Sequence, residues 1–377
     1  MPPPVALALS VVLLGAACQS EKPAPTSETA DASTARSRYA TVDPKLVKAL
    51  QTATSTTTAT GGPPPGGIFA PGAADERHPV GMPTKVDLVS DGSEPRMSLV
   101  DGSPDAVRAT SYGLAAFELG VQMGPRVALP TIDLGLVLGP AKKDDGGPDW
   151  LVAEVKKATA AKDQVGTLAP DTEQQIATLA GTQFRIKVPA DGRASDESMR
   201  FGKSALPALG QLAHNALEAL MLAIVPLPSK PVGVGAQWIA ESRMPMSGLD
   251  VIAYRAYRVK SITGDRLHLS LEVKGYAASK ETHLQGVPKG AELVQVDAEG
   301  QGELELVKGE VLARKSDMQQ RIVMVFKAPG AAQDEPPSPD QQTDQPDQAL
   351  GRRLTAQIES KGTLVRGPDL REAIKHP

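Results

Sequence analysis

Apolar residues recur along most of this chain with a period near two, and in one stretch with a period near four. Val127, Leu129, Ile132, Leu134, Leu136 and Leu138 alternate with other residues, as a strand with one buried face requires. After a turn at Gly264-Asp265, Leu267, Leu269, Leu271 and Val273 face one way, and Arg266, His268, Ser270, Glu272 and Lys274 the other. That is the pattern of a half-buried antiparallel strand. YGLAAFELGVQM, WLVAEVKKATAA, GTQFRIKV, IAYRAYRVKSI, GELELV and RIVMVF predict further strands, and RRLTAQIESKGTLV a last strand or hairpin. KVDLV and RMSLV flank Asp91-Gly92, a pair that readily takes the positive φ of a tight turn, and so predict a hairpin.

The exception lies at 204–225. Leu206, Leu209, Ala213, Leu217, Leu220 and Ile224 fall at steps of three or four, and Ser204 can serve as N-cap, which predicts one long helix. Its second half, ALEALMLAIV, carries one charge and is therefore expected to be buried on most sides. A shorter helix is expected over Asp171–Ala180. Pro226, Pro228 and Pro231 end the long helix, because each fixes φ and pushes the preceding residue out of helical geometry. The strand patterns before and after this pivot share a weak similarity: GPRVALPTIDLGLVLG parallels GDRLHLSLEVKG, and GTQFRIKVPADGRASDES parallels GQGELELVKGEVLARKS. The expected fold is mainly β (α+β), with two related antiparallel β-sheet halves and one long covering helix. The first half takes residues 80–225 and the second 226–377, with 328–349, rich in Pro, Gln and Asp, as a disordered loop.

The beginning of the chain has a different composition. Val5 to Ala17 is an uncharged apolar run, shorter than the ~20 residues a spanning helix needs. Residues 18–79, rich in Ala, Thr, Ser, Pro and Gly, are expected to form a flexible tether. A short helix is expected from Pro44, and IFAPGAAD at 68–75 can dock on the domain. Leu14, Gly15, Ala16 and Ala17 leading into Cys18 resemble the bacterial lipoprotein signal. Gly15 stands where that family has an aliphatic residue, and Met1 to Pro4 carry no Lys or Arg. The resemblance implies a signal peptide over 1–17, lipidation of Cys18 and a membrane-anchored protein exported to the cell envelope. Because Gln19 and not Asp follows the cysteine, it also implies sorting to the outer membrane. The alternative is an ordinary secretory signal with an incidental cysteine. PLPSKPVGVGAQW, Pro226 to Trp238, resembles the PLPxKPVxVGxxW signature of a family of exported, β-rich bacterial proteins known as a domain of unknown function, which implies no activity.

Composition narrows the functions further. Forty basic against 44 acidic residues, mixed along the chain, leave no footprint for nucleic acid. With 3% aromatic residues there is little to stack on sugars or bases. The one cysteine, Cys18, excludes an internal disulfide. No Gly-x-Ser-x-Gly is present, and Glu197 stands where a phosphate-binding loop ending at Lys203-Ser204 needs glycine. His78, His214, His268, His283 and His376 are dispersed, each expected to be solvated or structural, and Asp144 and Asp145 lack the further oxygens of a calcium loop.

No catalytic, cofactor or metal residue is therefore assigned, and lipidation of Cys18 is the one site. The expected function is a non-catalytic envelope lipoprotein that binds an apolar ligand or an envelope protein. The alternatives are a structural or assembly scaffold and, further off, a hydrolase without a signature. If the aliphatic strand faces bearing Leu269 and Leu271 confront each other across two halves, they form a smooth cleft suited to acyl chains.

Overall fold

The computed structural model describes residues 63–100, 111–123, 126–128, 131–141, 149–161, 170–206, 209–284, 287–327, 353–367 and 370–371. Cys18, the helix expected from Pro44, Asp144-Asp145, His376 and the loop 328–349 lie outside them.

Among the described residues thirteen antiparallel strands join in one sheet. In chain order they are β1 (Lys85–Ser90), β2 (Ser111–Gln122), β3 (Arg126–Ala128), β4 (Ile132–Pro140), β5 (Trp150–Ala160), β6 (Gln183–Lys187) and β7 (Glu197–Arg200). There follow β8 (Gln237–Met246), β9 (Leu249–Thr263), β10 (Arg266–Ala277), β11 (Glu292–Val307), β12 (Lys315–Lys327) and β13 (Arg353–Gly367). Across the sheet the order is β1-β8-β9-β10-β11-β12-β13-β2-β4-β5-β6-β7, with short β3 also on β2. Among the described residues three α-helices accompany it, α1 (Ala73–Arg77), α2 (Pro170–Ala177) and α3 (Gly210–Ala223), with a short 3-10 turn at Pro65–Gly67.

The expectation of two β halves is corrected here. β13, the last strand, is hydrogen-bonded along its length to β12 on one side and to β2 on the other, and this ladder fuses the early and late strands. The described residues fall within one compact unit. Period-two alternation correctly marks the strands but carries no record of which strand lies beside which. β13 is a single strand and not a hairpin.

The long helix is also different. It begins at Gly210 rather than 204, and Leu209 at its N-cap makes no side-chain capping bond. Pro207 explains the late start, because it disfavours helical geometry at Leu206. Nor is it a cover on a flat sheet. Asn215 to Glu218 and Leu220 to Ala223 are all buried, so from Asn215 on every face of the helix is enclosed, while His214 on its first turns is exposed. Its surroundings come from both ends of the sheet. Ala219 lies against Gly362 of β13, where a built Cβ would come within 3.2 Å. Residues of β2, β4, β5 and β6 pack on Leu212, Ala213 and Ala216, and Met318 and Gln320 of β12 lie beside Glu218. From β9, the Arg255 guanidinium donates to the carbonyls of Met221 and Ile224, both at 3.2 Å, and satisfies the helix C-terminus. The sheet thus curls around α3.

Contacts between distant segments hold the curl. Thr84, just before edge strand β1, bonds the Ala194 carbonyl, just before edge strand β7, through its N–H at 3.0 Å and its hydroxyl at 2.9 Å. At the exit of α3, Leu227 N–H bonds Asp191 of the β6–β7 turn at 2.8 Å, and Val225 N–H bonds Val311 of the β11–β12 turn at 2.7 Å. Pro226–Trp238 does not separate two halves. It folds back so that the Trp238 indole donates to the Pro226 carbonyl at 2.9 Å, with Trp238 stacked on Tyr257.

Two smaller expectations change. KVDLV and RMSLV do not pair: β1 lies on β8, and Met97 bridges to Val232. Gly92 does turn the chain, at φ +77, but the turn is pressed against the backbone of residues 233–236 and hands the chain to the glycine stretch there. The last stretch of the tether expected over 18–79, from Ile68 on, is docked on the sheet. Ile68, Phe69, Ala74 and His78 are buried, and this segment straps the outer face of β8–β10.

Candidate functional site

Where the sheet edges meet, a pocket of about 440 Å³ opens. Its apolar wall is Val80, Met244, Pro245 and Leu249, and its polar rim includes Glu197, His214, Arg243, Asp250 and His283. Four remote pieces of sequence build it: the strap before β1, the entry to β7, the first turns of α3, and the β8–β9 turn with the loop at His283. The β8–β9 turn is shaped by two residues of positive φ, Ser247 at +47° and Gly248 at +82°. A Cβ on Gly248 would come within 3.2 Å of Leu284 N, so the glycine also allows the His283 loop to approach.

Arg243 is the fixed charge of the rim. Its guanidinium grips Asp250 through Nε at 2.9 Å and Nη2 at 2.6 Å, and reaches Asp75 of α1 at 2.5 Å. These carboxylates hold it above the usual arginine range. Glu197 is the opposite case. Burial first, then the charges of Asp196 and Asp250, push its carboxyl up to about 7.

Next to this rim lies a charged clasp. Glu241 on the outer face of β8 meets Arg77 at 2.6 Å, Lys85 at 3.3 Å and the fully buried His78 at 3.5 Å. Arg77 Nε also donates to the Tyr254 hydroxyl at 2.7 Å. Burial raises the Glu241 carboxyl, but His78, Arg77 and Lys85 together outweigh it and hold the group below its usual range. The clasp pins the strap, and with it Val80 and Gly81, at the edge of the pocket.

Behind the pocket a polar stripe runs down α3. Gln211 Nε2 donates to Asn215 Oδ1 at 3.1 Å, and Glu218 accepts the Ser247 N–H at 3.0 Å. The cavities left between α3 and the sheet are small, about 20 Å³ beside Glu218 and about 10 Å³ beside Ala213. Leu269 and Leu271 are buried in the main core, so the expected acyl cleft across their faces is not present there; α3 fills the concave side.

The sequence reading had scattered the histidines. The structure brings His214 and His283 to one pocket, buries His78 in the clasp and leaves His268 exposed. Arg243, Glu241 and Ser247 carried no signal in sequence; Glu218 carried one, as the single charge in ALEALMLAIV. Among the described residues no group of three or more His, Cys, Asp or Glu is arranged to hold a metal, and no helix is long and apolar enough to cross a membrane.

No family model matches this chain, and comparison with curated proteins gives no match. Among solved structures, one of lipid-protein interactions in lipovitellin overlaps it at TM-score 0.38 and 8% identity, over 68% of this chain and 25% of that one. The chain thus spans about a quarter of that neighbour's length, and an overlap of this size says nothing of what the chain binds.

Proposed function

We propose that this chain is a non-catalytic lipoprotein of the bacterial cell envelope, anchored in the outer membrane through Cys18, that binds an apolar or amphipathic ligand at the seam pocket. The observation that carries the ligand reading is the pocket itself: about 440 Å³, with an apolar wall and a rim of fixed charges. A site of that make-up takes the apolar part of a ligand on one side and orients its polar end on the other.

A dansyl-labelled fatty acid titrated into the purified protein tests the reading. Saturable binding at micromolar concentration is expected. Val80 is 77% exposed, so Val80→Glu leaves folding intact and places a charge on the apolar wall. It should weaken binding about tenfold. Absence of saturable binding, or equal binding by Val80→Glu, removes the pocket from consideration. The anchor is tested apart from the ligand: Cys18→Ala should move the protein from the membrane fraction to the soluble one, and an unchanged distribution refutes lipidation.

A further inference from the structure

Two walls of the seam pocket are tied together by one buried carboxylate. α3 brings Gln211 and His214 to the pocket, and the β8–β9 turn brings Pro245, Gly248 and Leu249. One turn further along α3, Glu218 accepts the backbone N–H of Ser247 at 3.0 Å, at the apex of that turn. Ser247 has φ +47°, a conformation that side-chain-bearing residues adopt at a cost, so the turn needs holding. Glu218 holds it from below, and the His283 N–H bonds the Gly248 carbonyl at 2.9 Å on the other side.

The polar groups around Glu218 are incompletely paired. Glu218, Asn215 and Gln320 are 4%, 8% and 7% exposed, and Glu218 Oε1, Asn215 Nδ2 and Gln320 Oε1 have no hydrogen-bond partner. All three residues line the same cavity of about 20 Å³. Two of the three orphans are acceptors, and a proton on Glu218 Oε1 is the donor that Gln320 Oε1 lacks. The charged groups facing this cavity are Lys361 of β13 and Glu118 of β2, which stand opposite each other in strand register and offset one another. On α3 itself, Gln211 is spent on Asn215, and His214 Nδ1 lies 2.8 Å from the Gly210 carbonyl.

We propose that Glu218 is a proton-operated latch on the seam pocket. Ionised, it grips the Ser247 N–H and holds the β8–β9 turn against α3. Protonated from solvent, it donates to Gln320 and loosens that grip, because a neutral carboxyl accepts more weakly than a carboxylate. Burial, opposed by Ser247 N–H and the Gln320 side chain, pushes its carboxyl up to about 7, so the latch works near neutral pH. The effect on ligand rests on the reading of the pocket as a binding site; the latch on the turn does not.

The test follows both the turn and a ligand. The backbone amide resonance of Ser247 in the full chain should titrate with a midpoint near pH 7, and in Glu218→Gln, whose amide oxygen still accepts from Ser247, it should not. Affinity for the uncharged dye N-phenylnaphthylamine should change about tenfold across the same range in the wild type, the worth of a charge-assisted over a neutral hydrogen bond. In Glu218→Gln, whose neutral amide matches the protonated carboxyl, it should stay flat at the value the wild type shows at the acid end. A Ser247 amide that does not titrate, or an unaltered pH profile in Glu218→Gln, overturns the latch and leaves Glu197 on the rim as the group to test next. If the amide titrates but no dye binds at any pH, the ligand reading falls and the latch on the turn stands.

Discussion

Strands β8–β10 are covered on both faces, and the two coverings are held by different physics. The inner face packs on α3 with aliphatic side chains, and the carboxylate buried there, Glu218, has its burial opposed only by neutral donors, Ser247 N–H and the Gln320 side chain. The outer face lies under the 68–78 strap with Phe69, Tyr254 and Tyr276 in edge contact, and its carboxylate, Glu241, faces three cationic or titratable groups. Both carboxylates are nearly buried, at 4% and 8% exposure, yet one is pushed up and the other down. Burial is common to both, so the partners decide the sign. A helix enclosed by a sheet is held by area removed from water; a strap on the surface needs charge to fix its register.

The largest expected effect breaks the inner side. Leu217 is 3% exposed within α3, and Leu217→Asp buries an unpaired carboxylate there. The cost is roughly 3 to 5 kcal/mol, read as a large fall in melting temperature. An unchanged melting temperature would show that α3 is not enclosed.

On the outer side, Glu241→Gln removes the carboxylate that Arg77, Lys85 and His78 share. Because Arg77 is part-exposed, roughly 2 to 3 kcal/mol is expected rather than the full penalty of a buried pair. Limited proteolysis should then cut within 68–82 while β9–β13 stay protected; equal protection of the strap refutes the clasp.

The third comparison is one of slope. A carboxyl raised to about 7 in the fold contributes stability that is complete below its unfolded value and lost as pH rises through about 7. Glu241, lowered in the fold, contributes above its unfolded value and loses that contribution as pH falls through the lower folded one. Denaturant unfolding between pH 5 and pH 8 should therefore show Glu218→Gln gaining on the wild type by roughly 2 to 3 kcal/mol at the upper end. No gain at pH 8 would mean that Glu218 is already ionised and compensated.

Much of the secondary structure was legible before any coordinates. Leu267, Leu269, Leu271 and Val273 are all buried, and their neighbours on β10 from Arg266 to Lys274 are partly or fully exposed. IAYRAYRVKSI was read as a strand and is one, but which face it buries was not legible, because Val251 to Tyr257 are buried on both sides and double burial erases alternation. The pocket was not legible, since its residues run from Val80 to His283 and no two of its four pieces adjoin in sequence except through the β8–β9 turn.

By itself the sequence determined the strands, the existence of a buried apolar helix and the turns that need glycine, because these follow from which residues avoid water and which backbone angles they tolerate. Tertiary structure alone decided that β13 joins β12 to β2 in one sheet, that the sheet closes on α3 through Thr84 and Ala194, and that Glu218 and Glu241 ionise in opposite senses. Strand pairing and ionisation depend on what a residue faces across space. A pattern of hydrophobic positions records only that something covers it.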